Sequence, residues 1–195
     1  MSELNTSRRN FLTSSLIGLG ALAASGAIPT ALDADETRAF FSQEEALGEA
    51  WRLIEEEGAA RVIIQASSIV SISKGRGFAP LARLLDSNAS LLRGALVVES
   101  VAGRAAAAVF AKGAVAKLFA RTASEGALEV LKEAGISCEA KVVVANIMNR
   151  ELTGVCPIEE STKGFKTPDS IIAAAHSALA RLRANNNNNN KEANA

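Results

Sequence analysis

The fold is decided by residues 94–145, which read GALVVESVAGRAAAAVFAKGAVAKLFARTASEGALEVLKEAGISCEAKVVVA. Residues 95–98 form an unbroken apolar run, which is typical of a strand buried on both faces. Residues 115–121 and 139–145 are also predicted to be strands. Each of the two intervening segments, residues 101–112 and 124–134, has helical composition and ends at a glycine. Strands that alternate with helices of this length predict right-handed crossovers and parallel pairing.

A helix and a β-hairpin precede these alternating units. Ser42 followed by Glu45 fits a capping box and predicts a helix that ends at Gly58. Residues 61–66 and 69–73 have the composition of two strands joined by a short turn. A hairpin that leads into a parallel sheet makes the whole sheet mixed.

Two further helices complete the domain. Pro80 is suited to the first turn of a short helix, and residues 168–183 form an alanine-rich helical segment. The sequence therefore predicts one α/β domain over residues 42–183. We expect a three-layer α/β/α sandwich with a mixed five-stranded sheet in the order 2-1-3-4-5.

The first segment of the chain, residues 1–34, has the pattern of an export signal. Arg8 and Arg9 precede an uncharged, mildly hydrophobic run over residues 10–32, with small residues at 25–27 suited to cleavage. The arginine pair resembles the twin-arginine type of signal, whose route exports folded proteins. We therefore expect export across the cytoplasmic membrane, to a periplasmic or other extracytoplasmic location. An uncleaved segment of this length could instead anchor the protein to the membrane.

The composition of the chain bounds its partners. It contains 21 Lys and Arg residues against 21 Asp and Glu residues, no Tyr and one Trp. Binding to nucleic acid requires cations that neutralise phosphates and often aromatic side chains on which bases stack. We therefore do not expect a nucleic-acid partner. Residues 184–195, which include an asparagine run, have no large apolar side chain to bury, so they predict a disordered tail.

Several short motifs, taken in order, resemble a small family known as a domain of unknown function with a cytidine-deaminase-like fold. The motifs are KGRG at residues 74–77, GRAAA at 103–107, SEGALEVL at 124–131, NR at 149–150 and GVCP at 154–157. Together they cover nearly the whole predicted domain. The resemblance implies a sheet with functional residues at the carboxyl ends of its strands.

Deaminases of that fold use zinc held by H-x-E or C-x-E and by P-C-x-x-C at two successive helix starts. The corresponding places here are residues 100–104 and 123–127, which contain neither His nor Cys. The single histidine, His176, lies on the last helix, where we expect it to be solvated. We therefore expect no zinc and no other cofactor.

Polar residues nevertheless follow the predicted strands, at Glu99, Ser100, Arg104, Ser124 and Glu125. Because the carboxyl ends of parallel strands meet at one edge of a sheet, these side chains could line a site for a small polar ligand or a partner protein. The alternative is a structural role, in which both serines cap helices, Glu125 interacts with the helix dipole and Arg104 is solvated.

A second group of candidates surrounds Cys156. It follows Asn149 and Arg150 and precedes a short helix that contains Glu159. A thiol at a helix start near an arginine can react as a thiolate, which would make the protein a thiol-dependent enzyme or a redox protein. Cys156 could also fill a turn, or form a disulfide with Cys138. The binding function is the main prediction, and the thiol-dependent function is the alternative.

Overall fold

The computed structural model describes residues 38–39 and 42–192, in which six strands and six α-helices form an α/β fold. The strands are β1 (Arg38–Ala39), β2 (Arg61–Gln65), β3 (Ser68–Ser73), β4 (Leu96–Ala102), β5 (Lys117–Ser124) and β6 (Ser137–Val144). The helices are α1 (Gln43–Glu55), α2 (Phe78–Asn88), α3 (Arg104–Lys112), α4 (Glu125–Glu133), α5 (Pro157–Ser161) and α6 (Pro168–Glu192).

The strands form one mixed sheet in the order β1-β3-β2-β4-β5-β6. β4, β5 and β6 pair in parallel, whereas the β1–β3, β2–β3 and β2–β4 pairs are antiparallel. The five predicted strands therefore occur in the predicted order, and the mixed sheet is confirmed. The two-residue strand β1 adds to the edge at β3 and was not predicted.

Two apolar clusters lie on opposite faces of this sheet. One contains buried residues of α2, α3, α4 and α6 with Ile63, Val97 and Leu118, and the other contains buried residues of α1 with Val62, Val98 and Phe119. Successive residues of one strand point to opposite faces, so this alternation separates the two helical layers. The three-layer arrangement is therefore confirmed.

The boundary between β4 and α3 differs from the prediction. β4 continues through Val101 and Ala102, which pair with Thr122 and Ala123 of β5, and the helix begins only at Arg104. The predicted helix start at residue 101 was wrong because the alanine-rich composition of this segment does not reveal pairing with a strand 21 residues later.

The carboxyl-terminal helix also differs from the prediction. α6 continues through the asparagine run to Glu192, although a disordered tail was expected from residue 184. Once a helix has formed, each added residue gains a hydrogen bond without a new nucleation cost, which explains the extension. The predicted export signal lies outside the described residues. Within residues 38–39 and 42–192, none of the helices combines the length and the apolar character needed to cross a membrane.

Candidate binding site at the carboxyl ends of the strands

Glu99 is buried in an ion pair. The β2–β4 register places Arg61 opposite Glu99, and Arg61 Nε donates to Glu99 Oε2 at 2.6 Å. Only 3% and 4% of the two side chains are exposed, and the Arg61 guanidinium lies 5.9 Å from the ring centroid of Phe110 on α3. Burial raises the pKa of Glu99 to about 7, although Arg61 and the backbone at Val101 favour the charged form. Glu99 therefore faces the interior, so its predicted contact with a ligand has no support.

Ser100 does not cap a helix, contrary to the structural alternative. It lies within β4, is buried, and its backbone N–H donates to the carbonyl oxygen of Ala60. The residue that precedes α3 is Gly103, which cannot supply a side-chain cap. The first turn of α3 must therefore find its hydrogen-bond acceptor elsewhere.

Glu159 of α5 supplies that acceptor. Its Oε2 atom accepts a hydrogen bond from the backbone N–H of Arg104 at 2.9 Å, and the residue is only 4% exposed. A carboxylate at this position also interacts favourably with the dipole of α3. A Cβ atom at Gly103 would lie 2.4 Å from Glu159 Oε2, so the glycine leaves room for the carboxylate. Glu159 thus joins α5 to the start of α3.

Arg104 is not solvated, contrary to the structural alternative, because only 12% of its side chain is exposed. Its guanidinium donates to the carbonyl oxygens of Phe165, Thr162 and Gly126 at 2.6, 3.3 and 3.4 Å. It also contacts Glu129 of α4 at 3.3 Å. Arg104 therefore connects the starts of α3 and α4 with the segment that follows α5.

The start of α4 agrees with the structural alternative. Ser124 Oγ accepts a hydrogen bond from the backbone N–H of Ala127 at 3.1 Å, and Ser124 is fully buried. Glu125 is exposed in the first turn, where an acidic side chain stabilises the helix. Of these two residues, only Glu125 is accessible to a ligand.

The loop between β6 and α5 is organised by Asn149. Its Oδ1 atom accepts hydrogen bonds from the backbone N–H groups of Thr153 and Gly154, and its amide donates to the Thr153 hydroxyl. A bridge between Met148 and Val155 closes the loop. Arg150 is exposed. Asn149 therefore has a structural role, whereas Arg150 is available at the surface.

Cys156 lies at the start of α5, as predicted, and is half-buried. It is a free thiol, as is Cys138. Cys138 is the second residue of β6, whereas the Cys156 backbone N–H donates to the carbonyl oxygen of Ile147, beyond the other end of that strand. The strand between them spans about 20 Å at the usual rise per residue, and a disulfide requires Cα atoms within about 7 Å. The alternative of a Cys138–Cys156 disulfide is therefore wrong.

The two cysteines differ in environment. Burial raises the pKa of Cys138 to about 11, with a further contribution from the neighbouring Glu139. His176, the only histidine, is exposed on α6, as predicted, and packs edge-on against Phe78 with ring centroids 4.9 Å apart. Among the described residues, Cys156 makes no side-chain hydrogen bond to a base.

A groove opens beside Arg104 between α4 and the segment after α5. Its volume is about 200 Å³. It is lined by Arg104, Glu129, Val130, Glu133, Gly164, Phe165 and Lys166. Phe165 is 42% exposed and provides an apolar wall between charged side chains of both signs. We call this surface the α4 groove.

The two helix starts do not fit a zinc ion. Zinc sites are built from three or four His, Cys, Asp or Glu side chains. Over residues 38–39 and 42–192, no three such side chains lie close enough to hold one metal ion. Glu159 at the start of α3 and Ser124 at the start of α4 are both engaged with backbone N–H groups.

The sequence interpretation missed Arg61 and assigned Glu159 only a general role at the site. Arg61 begins an apolar strand, and Glu99 lies within a buried strand. Opposite charges at two such positions could have indicated that the strands pair. The role of Glu159 at α3 depends on a contact across 55 residues of chain, for which the local sequence contains no signal.

The chain is similar to a known protein family. The family model described as a domain of unknown function (DUF1893) matches residues 49–179. A crystal structure of a DUF1893 family protein (TM1506) from Thermotoga maritima is similar, with a TM-score of 0.62 and 23% identity; the match covers 72% of this chain and 93% of that one.

A second solved structure, of an NE0047 mutant in complex with 8-azaguanine, has a TM-score of 0.43 and 12% identity, with 79% of this chain and 98% of that one covered. No curated protein matches the chain. The likeness to the Thermotoga maritima structure shows a shared fold, and the family model covers more than half of the sequence. The chain therefore belongs to the DUF1893 family.

Proposed function

We propose that this protein is a metal-free binding domain with a cytidine-deaminase-like fold, and that a small polar ligand binds in the α4 groove. The sheet order and the two helices that follow β4 and β5 support this kind of fold. The carboxyl ends of parallel strands, where ligands commonly bind in open α/β sheets, lie at the starts of those helices. Of the residues that line the groove, Arg104 lies at such a start.

The observation that carries the proposal is the composition of the groove wall. Lys166 contributes a cation, Glu129 and Glu133 contribute carboxylates, and the ring of Phe165 contributes an apolar surface. A volume of about 200 Å³ limits the ligand to a small molecule with a few polar groups. A ligand with both a cationic and an anionic group would complement this wall.

A thermal-shift screen of the full chain with nucleosides, nucleotides, amino acids and small inorganic anions tests the proposal. A binder at a hundredfold excess over its dissociation constant stabilises the folded state by about 2.7 kcal/mol, which raises the melting temperature measurably. We expect at least one compound to give a saturable increase.

Two lysine variants serve as a matched pair in this screen. Lys166 lines the groove, whereas Lys163 pairs with Glu160 outside it. Lys166→Ala should weaken binding about tenfold, as expected for the loss of one charged contact, and Lys163→Ala should leave it unchanged. If no compound binds, or if both variants bind as tightly as the wild type, the groove is not the ligand site.

A partner protein is a second candidate ligand at the same end of the sheet. Met148 and Leu152 of the Asn149 loop are 44% and 75% exposed, and Leu152 has a positive φ of 57°. A bulky apolar side chain held outward in an unfavourable backbone conformation is suited to a contact with another protein. If this surface binds only proteins, no small molecule in the screen should raise the melting temperature.

The thiol-dependent alternative has less support. Arg150 is exposed, Glu159 is engaged with the start of α3, and Cys156 makes no side-chain hydrogen bond to a base within the described residues. A nucleophilic thiol needs an adjacent base or cation that favours the thiolate. The arrangement around Cys156 is better suited to a structural role at the start of α5.

A further inference from the structure

β6 forms a long edge of the sheet. It is eight residues in length, and its only hydrogen-bonded neighbour among the described strands is β5. The opposite edge, β1, has only two residues. An edge strand of this length, without proline, presents a row of N–H and C=O groups that can pair with another strand. Val142 and Val143, both 50% exposed, add apolar surface at this edge.

The charges on β6 lie on either side of one small residue. Glu139 and Lys141 flank Ala140, so they share one face of the strand. Glu139 forms an ion pair with Lys117, and Lys141 pairs with Glu55 and lies 4.1 Å from the ring centroid of Trp51. Both side chains nevertheless remain exposed, by 64% and 48%. Each can therefore form a second contact across the edge.

A second copy of β6 is complementary to this edge. When two identical strands pair antiparallel about an axis perpendicular to the sheet, one residue lies opposite itself. A centre at Glu139 or at Lys141 would place like charges opposite each other, which destabilises a strand pair. A centre at Ala140 places each Glu139 opposite Lys141 of the second copy, and it aligns almost the whole of both strands.

We propose that two copies of this chain associate through β6, in antiparallel register centred on Ala140, to form a sheet that continues across a homodimer. Val142 and Val143 then lie opposite Cys138 and Ser137 of the second copy, which covers part of their exposed surface. This interface is separate from the α4 groove, so it does not depend on the proposed ligand.

Charge reversal at the two paired positions tests the register. Sedimentation velocity of the full chain over a concentration series gives the dimer dissociation constant. E139K and K141E each place like charges opposite each other in both cross-strand pairs. Either change alone should raise the dissociation constant about tenfold or more, which corresponds to about 1.4 kcal/mol. D86K, on the exposed surface of α2, is the matched control and should leave the constant unchanged.

An equimolar mixture of the E139K and K141E chains is the decisive measurement. In a mixed dimer every pair again joins opposite charges, so the mixture should associate about as tightly as the wild type. This recovery also shows that both variants fold. A monomeric wild type at 100 μM or above (about a hundredfold over a micromolar constant) overturns the proposal. It is equally overturned if the single variants dimerise like the wild type, or if the mixture fails to recover.

Discussion

The carboxylate of Glu99 loses nearly all of its hydration when β2 and β4 pair, and the guanidinium of Arg61 replaces only part of it. The pKa of Glu99 therefore rises to about 7, from an ordinary value of 4.5. Desolvation outweighs the attraction between two charges even at an N–O distance of 2.6 Å. The pair joins β2 to β4 and makes stability depend on pH.

The direction of this pH dependence follows from the raised pKa. The unfolded chain loses the Glu99 proton near pH 4.5, whereas the folded chain retains it up to about pH 7. The stabilising contribution of the proton is therefore complete below pH 4.5 and is lost as the pH rises to 7. E99Q, which resembles the protonated side chain, should match the wild type at pH 4 and become relatively more stable up to pH 7.

Urea unfolding of both proteins at intervals between pH 4 and pH 8 measures this difference directly. E133Q, at an exposed position on α4, is the control for the loss of a carboxylate. A difference in unfolding free energy between wild type and E99Q that stays constant across this range would contradict the raised pKa.

The start of α3 shows which features of an element its own sequence reveals. The alanine-rich composition of α3 predicted a helix, and Ser124 at the start of α4 was correctly identified as a cap because cap and helix are adjacent in sequence. Neither the extension of β4 to Ala102 nor the contact from Glu159 to α3 is local, since both depend on distant residues. The same limit explains why neither interpretation of Arg104, as a ligand contact or as a solvated residue, included its hydrogen bonds to the segment after α5.

Gly103→Ala should destabilise the protein through this contact. The backbone of Gly103 has ordinary extended angles, so the cost comes from the new Cβ, which would displace the Glu159 carboxylate. We expect a loss of about 1–3 kcal/mol of unfolding free energy, as for other overpacked sites. Gly154→Ala, where a Cβ meets no atom within 4 Å, is the control.

A double-mutant cycle with Glu159→Ala separates steric displacement from other effects. Once the carboxylate is absent, Gly103→Ala should cost less, because the nearest atom to the added methyl group is then Ile147 Cγ1, at 3.3 Å. An equal cost of Gly103→Ala in both backgrounds would show that the glycine is required for a different reason.

For the whole molecule, the order of the five main strands could be predicted from sequence because handedness and short connections allow few topologies. The position of the free edge could be predicted on the same basis, since the last strand of the alternating units has no successor. The use of that edge could not, because it depends on the register between two copies. The role of the α4 groove likewise depends on how α4 meets the segment after α5.

The expected export of this protein can be tested at Arg8 and Arg9. Cys138 in β6 and Cys156 at the start of α5 are both free thiols, so no disulfide between them contributes to the described fold. We expect export in the folded state, for which the Arg8–Arg9 pair is the expected signal. Substitution of both arginines by lysine keeps the charge and should leave the protein in the cytoplasm. Cell fractionation measures this, with R181K/R183K on the exposed surface of α6 as the control. An unchanged exported fraction after the Arg8 and Arg9 substitutions would show that this signal does not direct the protein.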